Sequence, residues 1–195
     1  MTFLNTLLIR KLTLFLGAAM LSMSVMASDY IEDLANQGHA SAQVSLGTKY
    51  YYGLNAPQDY VKAFEWYKKA ADQGDSSGQN YVGEAYYAGK GVRQDYAKAF
   101  EWNKKSADQG KARAQYDVGD AYYAGEGVRQ DYAKAFEWYK KSADQGMYLA
   151  QHSLGMMYYH GKGVRQNTAT AKEWFGKACD NGFQKGCNNY RMLNQ

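Results

Sequence analysis

Ala88-Gly89-Lys90-Gly91-Val92-Arg93-Gln94-Asp95-Tyr96-Ala97-Lys98-Ala99-Phe100-Glu101-Trp102 is the stretch that decides the fold. Two glycines, a valine and an aspartate are followed by alanines and aromatics at helical spacing. That order describes one helix ending, a tight turn, and a capped second helix beginning. The turn returns at Gly125 to Asp131 and at Gly161 to Asn167, and residues 39–74, 75–110, 111–146 and 147–182 align around it without a gap as four 36-residue copies. A fixed period of this length means one supersecondary unit stacked on copies of itself, each touching mainly its neighbours.

Within each copy, Val44 or Tyr81, Leu46 or Val82, Gly47, Tyr50 and Tyr51 mark a first helix. Tyr96, Ala99, Phe100, Trp102 and Asn103 mark a second. The expected protein is all-α: an α/α solenoid, a right-handed superhelix of helical hairpins, with four repeats and terminal cap helices. In the turn, the first glycine adopts the left-handed conformation that ends a helix and the second relaxes the chain. The valine returns to the core, and Asp or Asn caps the next helix. Only the first copy differs, with Leu54, Asn55, Ala56 and Pro57 in this loop; proline stiffens it. Glycine inside a helix costs about 1 kcal/mol against alanine, so Gly47, Gly83, Gly119 and Gly155 require a compensating close contact. Ala63, Ala99, Ala135 and Ala171 on the second helices are its expected partners, and Trp66, Trp102, Trp138 and Trp174 are expected in the core.

The run Ala-x-x-x-Leu-Gly-x-x-Tyr-x-x-Gly-x-Gly-Val-x-x-Asp-Tyr-x-x-Ala-x-x-Trp-Tyr-x-x-Ala-Ala-x-x-Gly resembles the Sel1-like repeat, a relative of the tetratricopeptide repeat. The likeness covers almost everything after residue 28. Departures are Asn55 and Ala56 in place of Gly-Val, and Lys172 in place of a second-helix phenylalanine. The resemblance implies adaptors in envelope assemblies, or secreted proteins that engage host proteins.

Asp29 to Gly38 aligns with Glu65 to Gly74 and reads as a shortened second helix. Residues 183–195 restart a first helix, with Arg191 in the slot of the interior glycine, and read as a second cap. Residues 1–27 read as a signal peptide, leaving 28–195 as the repeat domain. Arg10 and Lys11 precede an uncharged stretch from Leu12 to Met26, and Val25-Met26-Ala27 offers a cleavage site. That stretch is shorter than the roughly 20 residues needed to cross a bilayer, so no stable membrane insertion is expected after cleavage. The expected localisation is exported, periplasmic or secreted. Of 23 basic and 19 acidic residues, Arg10 and Lys11 would leave with the signal, giving 21 against 19 and a net charge of +2. Such a balance argues against a nucleic-acid partner. Lys104, Lys105, Lys140 and Lys141 alternate with Glu101, Asp108, Glu137 and Asp144, as on a solvated face.

Cys179 and Cys187 flank Gly182 at a spacing of eight, on helices that run antiparallel. In an oxidising compartment they are expected to pair, with two free thiols as the alternative; the spacing excludes a C-x-x-C redox pair. This segment is similar to the cysteine-rich branch of secreted Sel1-like proteins, which pair cysteines at this spacing.

Motifs for catalysis are sparse. Gly74-Asp75-Ser76-Ser77-Gly78 fits Gly-x-Ser-x-Gly, yet it lies at a helix–helix turn with no preceding strand, and the third copy has Lys-Ala-Arg-Ala there. His152, Met156 and His160, with Met157 alongside, offer ligand types suited to copper. The histidines stand about 12 Å apart along a helix, so one ion cannot take both. No catalytic residue, metal or cofactor is expected. The cysteine-rich relatives imply an alternative, a β-lactamase-like or penicillin-binding hydrolase, for which this chain supplies no matched nucleophile and base.

Recognition is the remaining task, and the copies differ where it would act. Residues 92–110 and 128–146 differ only at Asn103 against Tyr139, so the second helices are nearly interchangeable. The first helices vary on one face: Val44, Thr48 and Tyr52, then Asn80 and Glu84, then Tyr116 and Asp120, then His152, Met156 and His160. First helices line the concave side of such solenoids. The expected activity is therefore non-catalytic protein binding or scaffolding, with Tyr52, Asn80, Glu84, Tyr116, Asp120, His152, Met156 and His160 contacting a protein or peptide ligand from the envelope or a host. Tyr51, Tyr87, Tyr123 and Tyr159 border that face.

Overall fold

A computed structural model describes residues 29–194; the signal-peptide reading lies outside the described residues. Helix α1 (29–36) is followed by four hairpins and a short last helix. The hairpins are α2 (Ala40–Tyr52) with α3 (Tyr60–Asp72), α4 (Ser76–Ala88) with α5 (Tyr96–Asp108), α6 (Ala112–Ala124) with α7 (Tyr132–Asp144), and α8 (Tyr148–His160) with α9 (Thr168–Asp180); α10 (Gln184–Met192) closes the series. Apart from a small contact between α2 and α4, substantial packing joins only helices consecutive in the chain, which is the solenoid arrangement.

The turn chemistry places each second helix. Asp59, Asp95, Asp131 and Asn167 accept a hydrogen bond at 3.0 Å from the backbone N–H three residues on, satisfying an orphan donor. Those backbone bonds hold the three aspartates below the ordinary carboxylate range. The second turn glycine does more than relax the chain. A Cβ on Gly91, Gly127 or Gly163 would sit 1.9, 2.0 or 2.3 Å from the carbonyl oxygen of Tyr60, Tyr96 or Tyr132, so each turn lies directly on the preceding repeat's second helix. In the first copy Asn55 fills this slot at φ 55°.

Two packing expectations need correction. Three of the four interior glycines face rings, not alanine side chains: a Cβ on Gly47, Gly119 or Gly155 would fall 2.6, 2.6 or 2.5 Å from Tyr67, Tyr139 or Phe175. The tryptophans are half-buried rather than core. The ammonium groups of Lys69, Lys105, Lys141 and Lys177 lie 3.7, 4.2, 4.0 and 4.0 Å from the ring centroids of Trp66, Trp102, Trp138 and Trp174. The inward stripe of α3 runs through Ala63, Tyr67, Ala70 and Ala71, all buried, which leaves residue 66 on the flank. Glutamines add polar ties: Gln73, Gln109 and Gln145 donate to the buried Gln43, Gln79 and Gln115 at 2.7 to 2.8 Å. A disulfide between Cys179 and Cys187 joins α9 to α10, with Cα atoms 4.5 Å apart.

Candidate functional site

The second-helix slot that covers each interior glycine reads Tyr67, Asn103, Tyr139 and Phe175. At Asn103 a short amide lies on Gly83 where the other repeats lay a ring. A polar set occupies the vacated space. Asn80 Nδ2 donates to Asn103 Oδ1 at 3.0 Å and to Asp117 Oδ2 at 2.8 Å. Arg113 donates through Nε to Asp117 at 3.0 Å and brings Nη2 within 3.3 Å of Glu84. In the first and third repeats the tyrosine hydroxyl donates to the side chain of the residue that directly follows the interior glycine: Tyr67 to Thr48, and Tyr139 to Asp120. Glu84 holds the same slot in the second repeat, has no tyrosine to accept from, and turns to Arg113 instead.

A cavity of 390 Å³ opens over this set, walled by Tyr87, Tyr96, Phe100, Tyr116, Glu84, Asp120 and Glu126, with Asn103 and Arg113 among its lining. That volume is in the range of small-ligand and side-chain pockets. The Asp117 carboxyl stands at about 6, raised chiefly by burial and also by Glu84, against the opposing Arg113 charge and Asn80 hydrogen bond. Burial also raises Glu84 and Asp120, the latter against hydrogen bonds from Tyr139 and Tyr116. The cavity therefore combines aromatic walls with carboxylates that one guanidinium does not balance.

The sequence-derived surface residues separate into groups. Glu84 and Asp120 line the cavity. Tyr116 is half-buried against Tyr139, ring centroids 5.7 Å apart. Asn80, expected on the surface, is 1% exposed and acts behind it, because its amide ties α4 to α5 and α6. Tyr52 is exposed at the other end of the face, edge-on to Tyr51. His152 and Met156 sit beneath α10: Asn189 Nδ2 lies 3.0 Å from His152 Nε2 and 3.6 Å from Met156 Sδ. Burial lowers the His152 pKa. His160 is exposed beside Tyr159. Among the described residues no three His, Cys, Asp or Glu side chains gather as a metal site. Asn103, Arg113, Asp117, Tyr96 and Glu126 were not singled out as site residues from sequence. Their visible signals were the Asn103–Tyr139 difference and Glu126 in a turn slot that holds lysine at 90 and 162.

Ser76, in the Gly-x-Ser-x-Gly match, is the first residue of α4, and its carbonyl accepts from Ser106 Oγ at 2.6 Å. Asp75 caps that helix by accepting from Gly78 N–H at 2.7 Å. The segment is a capped inter-helix turn.

The Sel1 repeat family matches at residues 40–75, 76–111, 112–147 and 149–183. Among solved structures, c5321, a protective antigen of uropathogenic Escherichia coli strains with an SLR fold, is 37% identical at a TM-score of 0.79, over 83% of this chain and 34% of that one. A Sel1 repeat protein from Oxalobacter formigenes is 29% identical at a TM-score of 0.82, over 87% and 68% of the two chains. Helicobacter pylori cysteine rich protein B is 27% identical at a TM-score of 0.54, over 67% and 94%. No curated protein matches the chain. Four tandem matches over hairpins of this geometry place the chain in the Sel1 repeat family.

Proposed function

We propose that this chain is an exported, non-catalytic protein-binding or scaffolding module that receives a protein or peptide segment on the face lined by α2, α4, α6 and α8. The observation that carries the reading is the cavity at the middle of that face, opened by Asn103 where the other three repeats place a buried ring. Sel1 repeats are in general protein-interaction modules, and the disulfide suits an oxidising compartment, periplasmic or extracellular. Among the described residues no helix is long and apolar enough to cross a membrane. The cavity lining includes no serine, threonine, cysteine, lysine or histidine, so the usual acyl-transfer nucleophiles are not presented there.

The test is a crosslinking pulldown with purified protein on envelope and host fractions, compared with a variant carrying Tyr52→Ser, Glu84→Ser and His160→Ser together. These side chains are at least partly exposed, so folding is expected to survive their replacement. Capture reduced tenfold or more supports the first-helix face. Undiminished capture by the folded variant overturns it.

A further inference from the structure

Three aromatic notches of one design run along the repeats. Each pairs a first-helix tyrosine with the tyrosine that opens the second helix of the same hairpin. Tyr51 meets Tyr60, Tyr87 meets Tyr96, and Tyr123 meets Tyr132, with ring centroids 5.2, 5.3 and 5.1 Å apart at 64°, 61° and 63°. Two of the notches are filled by the chain itself. Lys90, from the next repeat's turn, places Nζ 4.9 and 5.0 Å from the Tyr51 and Tyr60 centroids and donates to the Tyr51 hydroxyl at 2.8 Å. Lys162 repeats the arrangement, 4.9 and 5.2 Å from the Tyr123 and Tyr132 centroids and 2.9 Å from the Tyr123 hydroxyl. An ammonium over aromatic faces is a favourable electrostatic arrangement.

The middle notch breaks the pattern in one residue. The slot of Lys90 and Lys162 is Glu126 there. Glu126 lines the same cavity as Tyr87 and Tyr96, and its side chain, ahead of burial, raises the Tyr87 phenol. Tyr87 and Tyr96 are 50% and 38% exposed, whereas Tyr51, Tyr60, Tyr123 and Tyr132 are partly buried around their lysines. The open notch faces the cavity, where Glu84 and Asp120 add negative charge and Arg113 is engaged by Asp117 and Glu84. The rings are retained, the internal cation is missing, and an acid stands in its place.

We propose that the Tyr87–Tyr96 notch takes the ammonium group of a lysine side chain presented by the partner, with Glu126 as its counter-charge. The bound lysine occupies the position that Lys90 and Lys162 occupy at the other two junctions. This rests on the first-helix face being the binding face. Lysine is favoured over arginine because both filled notches are built around one ammonium that donates to one phenol oxygen.

The experiment is an NMR titration of the purified protein with the peptide acetyl-Gly-Gly-Lys-Gly-Gly-amide, reading the Tyr87 and Tyr96 ring signals. Norleucine, Nε-acetyl-lysine and arginine versions serve as comparators. The lysine peptide is expected to shift both rings, and the norleucine and acetyl-lysine peptides to bind at least tenfold more weakly. Glu126→Lys, which installs the residue that the other two junctions use and so should fold, is expected to weaken the lysine peptide at least tenfold by filling the notch from within. Equal binding of the norleucine peptide, wild-type binding by Glu126→Lys, or tenfold tighter binding of the arginine peptide would each overturn the assignment. Partner capture lost by the triple surface variant but kept by Glu126→Lys would overturn the lysine notch and leave the face standing. Notch binding of the lysine peptide, with capture untouched by both variants, would overturn the face.

Discussion

Asn103→Tyr restores to the second repeat the ring that the first and third carry, and its effect can be worked from them. Tyr67 and Tyr139 are 3% and 2% exposed, so a tyrosine on Gly83 would be buried almost completely. Burying a large side chain contributes about 1.5–3 kcal/mol. Against that, Asn80 loses the Asn103 acceptor, at about 1 kcal/mol, while keeping its 2.8 Å bond to Asp117. The new hydroxyl meets Glu84, which stands where Thr48 and Asp120 accept from Tyr67 and Tyr139. The net gain is about 0.5–2 kcal/mol, or roughly 1–8 °C in melting temperature for a chain of this size. Thermal melts followed by far-UV circular dichroism measure it. A melting temperature equal to or below wild type would show that the Asn103 set already fills its space, and would remove the physical basis of the cavity.

Three further outcomes follow from the same contacts. The Asp117 carboxyl rises from 3.8 to about 6, so the native state binds more protons than the unfolded chain between those values, and stability falls by up to about 3 kcal/mol as pH climbs through them. Asp117→Asn should flatten that part of a urea-melt pH series relative to wild type; an identical slope would refute the assignment. Cys179→Ser with Cys187→Ser removes a crosslink over a sequence separation of 8, worth about 2–3 kcal/mol in the loop-entropy picture. Because α10 packs chiefly on α9, faster amide hydrogen exchange should appear in α10 and leave α2 to α6 unchanged. Gly155→Ala would set a methyl 2.5 Å from the Phe175 ring and should destabilise by about 1–3 kcal/mol in urea melts, whereas a neutral result would mean that the ring can slide.

The hairpins were legible because their signals are local. The caps at Asp59, Asp95, Asp131 and Asn167, and the left-handed glycines that end each first helix, follow from residues a few positions apart. The tryptophan reading failed because a repeated large aromatic suggests core, while helical phase places residue 66 on the flank and residue 67 inside. The site was less legible for a related reason. Asn103 stood out as a single difference, yet its meaning lies in what it leaves uncovered on Gly83 and in the partners that Asn80 and Asp117 make of it. Glu126 in place of lysine was plain in the turn sequence. The aromatic pair it addresses belongs to the preceding repeat: the matching Lys90–Tyr51 contact spans 39 residues, beyond any local pattern.

The most direct test of the binding face places a photo-crosslinking phenylalanine analogue singly at Tyr87, on the open notch, and at Lys140, exposed on the second helix α7. After irradiation in cells, partner adducts are read by mass spectrometry. Adducts from position 87 and none from position 140 are the predicted result. Adducts from position 140 with none from position 87 would contradict a first-helix binding face.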